Sequence, residues 1–393
     1  MRCGLTERVK LAPTAGLMHV GLMLTGLGTA LLGPILPLLA RQWGLQDAQS
    51  GMLLLAQFCG AFTGGVMVAK DLRRSLLAGM AAACVGFGVF ALAHGLGMAC
   101  AGLFVGGFGC GQLITALNVL AGRRYMERRG SMLAALNFSW SFGAMLSPLL
   151  AAWLTPKFAV RSLLEVFAAL FLLCGFWLAV QMSGTAEEAV QQGEAGGASG
   201  VYKGLGWTVF VYFGALLFLY GGMETSLSGW LTTYALRYGD KTLAVSESTT
   251  LLLWMALTVG RAGTSLLLLK FSDRIVQRVG LGLAAVFTAA LARAHTTAGI
   301  AAFAVLLGLS MAPFFPTTFS LLIARRPTAR QAGIVVAVSG LGAAALPWLM
   351  GVMSTRTGSL QAALVLPLGA AVVLLGMSLF GMQVAIESKT NAA

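Results

Sequence analysis

The sequence predicts an all-α membrane protein of twelve transmembrane helices in two pseudo-symmetric six-helix bundles. Three observations predict it. The chain is 58% hydrophobic and only 10% charged, where soluble domains carry about 25% charged residues. Its apolar residues fall in twelve long runs. Landmarks of the first half return in the second at an offset near 200 residues.

A membrane helix needs about 20 mainly apolar residues. The runs lie at residues 13–40, 46–69, 75–94, 97–121, 130–154, 160–182, 206–236, 245–269, 279–295, 298–324, 331–354 and 359–384. The first is longer than the apolar core of a signal peptide, so it reads as a span. A closed β-barrel would show short segments with a polar lumen face, and Leu163–Val180 shows no such alternation. Helices are the remaining way to satisfy the backbone in lipid. The one long polar stretch, Ser183–Gly204, is rich in Gly, Ala, Glu and Gln. It reads as a cytoplasmic linker between a first bundle, 1–182, and a second, 205–393.

Charge sets the orientation. With both termini cytoplasmic, eighteen of the 26 Lys and Arg residues fall on the inner side and seven on the outer, leaving Arg261 inside a span. This is the bias that orients membrane proteins. The net charge of +13 is thus spread over short loops and makes no nucleic-acid-binding face. The compact loops suggest a bacterial inner membrane. Cys3, Cys59, Cys84, Cys100, Cys110 and Cys174 form no CxxC pair, and His19, His94 and His295 lie far apart. They offer neither a disulfide framework nor a metal site. No cofactor is expected, and no P-loop is present, so energy would come from a solute or ion gradient.

The repeat supports the two-bundle division. Gly143-Ala144 with Pro148 returns as Gly342-Ala343 with Pro347, Ala93-His94 as Ala294-His295, and Lys70 with Arg73 as Lys270 with Arg274. Parallel six-helix halves are characteristic of secondary transporters.

Ionisable residues well inside spans mark function, because charge at bilayer depth costs about 2.5–3.5 kcal/mol on insertion scales. Here they are chiefly Glu224 and Arg261, with His19 less deep. Their heights differ by roughly 6 Å at about 1.5 Å per residue, within an arginine's reach. Glu224 is expected to face a central cavity and either bind a substrate hydroxyl or carry a coupling proton. The alternative is a structural carboxylate capped by Arg261. Tyr220, Glu224 and Ser228 share one helical face, as do Trp254, Thr258 and Arg261. Asn137, Trp140, Ser141 and Pro148 mark a third. Hydroxyl partners beside indole rings suit a sugar; the bland reading makes the tryptophans interface anchors or lipid-facing bulk. Gln57, Gln112 and Asn118 fit either a cavity or interhelical hydrogen bonding. Thr317, next to Pro316, joins the binding candidates. The glycine-rich runs 26–28, 102–111 and 340–342 lie inside apolar spans with no strand before them, so they read as close helix packing. Prolines 34, 37, 148, 313, 316 and 347 fit kinks.

The sequence resembles the major facilitator superfamily, most nearly its fucose-permease and glucose/galactose-permease branch, over almost the whole chain. The resemblance rests on Gly64-Gly65 followed by Lys70-Asp71-Leu72-Arg73-Arg74, and on Gly106 to Gly111 followed by Asn118. It also rests on Tyr220-Gly221-Gly222-Met223-Glu224 with Gly229-Trp230 and Tyr234, on Gly260-Arg261, and on Pro313-Phe314-Phe315-Pro316. It implies alternating access between the two halves. It also departs from the branch: proton-coupled members carry acidic residues in the first and fourth helices, where this chain has Thr25 and His19, and Gln112 and Asn118.

The expected function is secondary or facilitative transport of a small polar solute, most concretely a sugar, with a proton or sodium ion as the coupling partner where there is one. A monomer would suffice. Asp71 and Arg74, and their repeats Asp273 and Arg274, are expected to gate the inner side, alongside Glu224 and Arg261. The competing reading is an efflux transporter for amphipathic, drug-like compounds, served by 22 Phe and 18 Met. A membrane enzyme would need clustered acids and histidines that the sequence lacks; a receptor would bind without flux.

Overall fold

The structure, a computed structural model, describes residues 14–69, 71–125, 129–182, 204–240, 242–325 and 327–381. The linker expected at 183–204 lies outside the described residues except for Gly204, and so does Lys70 of the first inner loop. Among the described residues all regular structure is helical.

The first half runs α1 (Ala15–Ala30), α2 (Leu32–Trp43), α3 (Asp47–Val66), α4 (Leu72–Ala91), α5 (Leu96–Arg124), α6 (Arg129–Leu154) and α7 (Val160–Met182). The second runs α8 (Trp207–Tyr238), α9 (Leu243–Leu267), α10 (Asp273–Leu291), α11 (Thr297–Met311), α12 (Phe314–Ile323), α13 (Ala329–Thr357), α14 (Leu360–Ala363) and α15 (Val365–Gly376), and a π-helical turn at Met377–Gly381 closes it. Three spans are interrupted: α1 with α2, α11 with α12, and α14 with α15 each make one crossing. Proline explains each break, since it gives no N–H to the preceding turn and its ring crowds the carbonyl there. Pro34 follows the first, Pro313 and Pro316 surround the second, and Pro367 follows the third. Pro37, Pro148 and Pro347 sit instead inside helices that continue past them. The ninth crossing begins at Asp273, not near 279 as its apolar run suggested. Asp273 takes the first turn behind the N-cap Ser272, where a carboxylate complements the helix dipole.

The two halves pack alike. In the first, α1 lies on α6, α3 and α4 on α5, and α4 and α1 on α7. In the second, α8 lies on α13, α9 and α10 on α11, and α10 and α8 on α15. The repeated glycines carry the equivalence. A Cβ on Gly143 would sit 1.9 Å from the Met23 carbonyl oxygen, and one on Gly342 would sit 1.7 Å from that of Phe218. In both halves, then, the fifth helix meets the first at backbone-to-backbone distance, where only glycine fits.

The halves join through α3 with α13, α6 with α9, and α2 with α8. Nine crossings among the described residues are long and apolar enough to span a membrane by composition alone. Those outside that set are α3, α6 and α9, all of which belong to the joining pairs. Many of their polar residues, such as Asp47, Gln57, Ser141 and Thr250, are buried against protein, so they need less apolar surface.

Candidate functional site

We call the side where the described chain starts and ends the terminal side, and the opposite one the far side. On the far side the halves are tied by side chains. Asp47, at the start of α3, accepts a bidentate pair of hydrogen bonds from Arg237 at the end of α8. It also accepts one from the Ser354 hydroxyl of α13. The Ala48 N–H, orphaned at the helix start, donates to Thr355 Oγ1 across the same joint at 2.8 Å. Glycine lets these backbones meet: a Cβ on Gly351 would fall 2.3 Å from the Asp47 carbonyl oxygen. Trp230 donates its indole N–H to the Pro347 carbonyl at 2.9 Å, beneath this joint. That carbonyl and the ring are buried, so Trp230 is a structural strut rather than an interface anchor. The sequence reading passed over Asp47 and Arg237 because each stands at a span end, where a charge is ordinary.

Midway through the bundle a second joint has different chemistry. Arg261 Nη2 of α9 donates to both carboxylate oxygens of Glu224 on α8, at 3.2 and 3.3 Å. Its Nη1 reaches across to Ser141 Oγ of α6 at 2.9 Å. The Glu224–Arg261 pair therefore exists, and it bridges the halves. The pair keeps a little accessible surface, 12% for the Glu224 side chain and 24% for Arg261. Next to it the rings of Trp140 and Trp254 meet edge to face, centroids 5.8 Å apart. Trp140 is placed by close packing of α6 on α1, for a Cβ on Gly26 would fall 1.9 Å from its carbonyl oxygen.

The polar inventory of this joint is one-sided. The indole N–H groups of Trp140 and Trp254 and the Nε–H of Arg261 are buried and have no acceptor among the described residues. All three groups only donate. A buried donor left unpaired costs about 1–3 kcal/mol, so each of the three calls for an acceptor that the described residues do not supply.

The other candidates divide. Tyr220 stacks on Phe314, centroids 4.5 Å apart, and its hydroxyl donates to the Met311 carbonyl at 3.2 Å. It thereby fills an acceptor freed by the break between α11 and α12. Thr317 donates its hydroxyl to the Pro313 carbonyl one turn back, at 2.7 Å. Asn118 donates to Ile114 of its own helix at 2.8 Å. Gln112 is buried, with its amide oxygen unpartnered. Gln57 ties α3 to the Gly28 carbonyl of α1 at 2.8 Å, the interhelical role. Ser228 is half-buried where α8 meets Gly33 of α2, and Asn137 is exposed. His19 is bonded to Ser139 at 2.7 Å.

On the terminal side, Asp71 caps α4 by accepting from the Arg73 and Arg74 N–H groups and pairs with the Arg74 side chain at 3.2 Å. Asp273 accepts from Ser320 at 3.2 Å within the second half, and Arg274 is exposed. None of these contacts crosses between the halves.

Glu247, which sequence reading did not single out, is fully buried on α9 with neither carboxyl oxygen hydrogen-bonded among the described residues. Its place about one turn into α9 read as an ordinary end position. Its spacing of seven from Trp254 and fourteen from Arg261, which puts all three on one face, was the available signal.

Comparison with known proteins agrees with this architecture. The profile of the Major Facilitator Superfamily matches residues 18–335. No curated protein matches in sequence. Among solved structures, the chain is similar to the E. coli fucose:proton symporter FucP at a TM-score of 0.62 and 18% identity, covering 93% of this chain and 98% of that one. It is similar to a D-xylose-proton symporter at 0.72 and 15%, covering 93% and 96%. A bacterial homologue of the human lysosomal transporter Spinster, in an inward-facing and occupied conformation, scores 0.73 at 11% identity, covering 94% and 96%. The chain belongs to the major facilitator superfamily: it is an integral membrane transporter, not an enzyme.

Proposed function

We propose that the protein carries a small polyhydroxylated solute, a sugar in the first instance, by alternating access. The carrying observation is the mid-bundle layer in which Trp140, Trp254 and Arg261 present unpartnered donors beside a Glu224–Arg261 pair. Sugar hydroxyl and ring oxygens accept from such donors, and the apolar face of a pyranose packs on an indole ring. Glu224 then holds Arg261 in place and accepts from a substrate hydroxyl. The fucose and xylose specificity of the structural relatives supports the same class. An amphipathic drug would leave three donors unsatisfied, which disfavours the efflux reading.

The terminal side is the cytoplasmic one, by the excess of Lys and Arg in its loops. The state described is thus closed outward, with Asp47, Arg237 and Ser354 as the seal. The relative described as inward-facing superposes at 0.73, and FucP in its outward conformation at 0.62, which supports that assignment. Among the described residues, Asp71, Arg74, Asp273 and Arg274 show no bond across the joint in this state, and they would gate the inner side in the other. Residues 1–182 and 205–393 act as the two rocking units within one monomer.

The test is a thermal-shift screen of the purified protein against monosaccharides, sugar alcohols and amphipathic drugs, followed by counterflow of the labelled hit in proteoliposomes. Stabilisation and counterflow by a sugar, both lost in Trp254→Ala, are expected. Stabilisation by amphipathic compounds alone would overturn the assignment.

A further inference from the structure

Glu247 is the buried acid that the transport site does not use. It is wholly enclosed, and among the described residues neither carboxyl oxygen has a hydrogen-bond partner. An ionised carboxylate in that setting would be strongly unfavourable, so the group resides there as the neutral acid.

Among the described residues no cation is bonded to it; Lys241, in the loop before α9, lies outside them. The helices packed on α9 are α6, α8 and α11. The far-side portions of α6 and α11 carry no titratable side chain. On α8 the groups are Tyr234, Arg237 and Tyr238. Tyr234 donates to the Leu291 carbonyl, and Tyr238 contacts Ser359 and the Gln361 N–H. Arg237 is engaged by Asp47. On its own helix the only other charged group is Arg261, four turns away and held by Glu224.

Height singles out Arg237. The Thr232–Thr250 hydrogen bond, 2.8 Å, fixes the register of α8 against α9. At about 1.5 Å per residue, Arg237 stands roughly 7.5 Å and Glu247 roughly 4.5 Å beyond that bond toward the far side. They differ by less than one helical turn and belong to the same half, whereas Asp47 belongs to the other. When the halves part on the far side, Asp47 leaves with α3 and Arg237 stays beside α9.

We propose that Glu247 is a proton-binding site coupled to the outer seal. With the seal closed, Arg237 serves Asp47 and Glu247 holds its proton. With the seal open, the Glu247 proton passes to outer water and the carboxylate takes Arg237 as its counter-ion. Closing therefore requires a proton from outside, which makes the proton the ion that couples to the cycle. This rests on the alternating-access reading but not on the identity of the solute. It also supplies an acid outside the first and fourth helices.

The test follows the outer opening without any solute. Spin labels at Gln42→Cys on α2 and Arg356→Cys on α13, both exposed positions, are placed in the full chain with its six cysteines replaced by alanine. Double electron–electron resonance then reads the label separation between about pH 5 and about pH 9. The open-to-closed ratio is expected to rise with pH, by up to about tenfold per unit through the transition, since one proton is bound on closing. Glu247→Gln, neutral throughout, should keep the short separation at every pH, and Glu247→Asp should titrate with a displaced midpoint. A ratio in the parent that ignores pH, or a Glu247→Gln ratio that follows the parent, would overturn the proposal. Should Glu247→Gln fail to fold, Glu247→Asp and infrared spectra of the unsubstituted protein decide: no protonated-carboxyl band at neutral pH refutes it. A protein that moves no sugar yet titrates in this way would retire the solute assignment and leave the proton site standing.

Discussion

The two joints between the halves face the same task, holding one bundle against the other, and meet it with opposite chemistry. At the far side the charged joint is paired, Arg237 and Ser354 on Asp47 and the Ala48 N–H on Thr355, while the nearby Ser50 and Thr233 hydroxyls have no partner among the described residues. Glycines 51 and 351 bring the backbones together. At mid-bundle, Arg261 spans the joint to Ser141, but its Nε–H and two indole N–H groups find no acceptor among the described residues. The ion-paired joint fits the proposed seal, and the joint with indole and guanidinium donors left over fits the proposed binding layer.

The largest effect should come from separating the central pair. Arg261→Ala leaves Glu224 without its partner in a site of low exposure, and breaking such a pair costs about 3–5 kcal/mol. Counterflow of a labelled sugar is expected to fall to background, with a lower melting temperature. Retained counterflow would mean that the mid-bundle joint is structural, and would erase the contrast drawn above. Glu224→Gln is milder, because it keeps an acceptor for Arg261, and should retain the fold with transport reduced by about tenfold or more.

Next comes the seal. Asp47→Asn removes the charge that holds Arg237 and keeps the shape. Arg237 is 40% exposed, so solvent screens part of the loss, and a shift of about 1 kcal/mol toward the outward-open state is expected. The reading is the label separation described above, which should gain a longer component. No change in that distribution would show that glycine-mediated packing of α3 on α13 closes the gate unaided.

How much of this was legible beforehand depends on whether a residue's meaning is periodic or positional. The crossings, their pairing into halves and the helix-packing glycines follow from hydropathy and repetition, which act along the chain. Glu224 and Arg261 stood out because charge deep in an apolar run has few explanations, and the structure joins them. Asp47, Arg237 and Glu247 were not legible, because at a span end a charge normally faces water. Burial by the other half or by neighbouring helices gives each of them its role, and the local pattern carries no trace of that. Tyr220 and Thr317 point the other way. The Tyr220 hydroxyl is claimed by the Met311 carbonyl at the break between α11 and α12, and the Thr317 hydroxyl by the Pro313 carbonyl one turn back.

A smaller effect separates the ring from the N–H in the binding layer. Trp140→Phe and Trp254→Phe keep an aromatic face at the edge-to-face contact and delete only the donor. If the donors meet substrate oxygens, each change removes one hydrogen bond of about 0.5–1.5 kcal/mol. The sugar concentration for half-maximal counterflow should then rise by roughly threefold to tenfold, with maximal rate and melting temperature little altered. If the indoles only pack, the same substitutions relieve a buried unsatisfied donor, so thermal stability should rise while the half-maximal concentration stays put. The two readings therefore predict opposite responses from one pair of variants, and a gain in stability without a change in apparent affinity would move the binding layer elsewhere in the bundle.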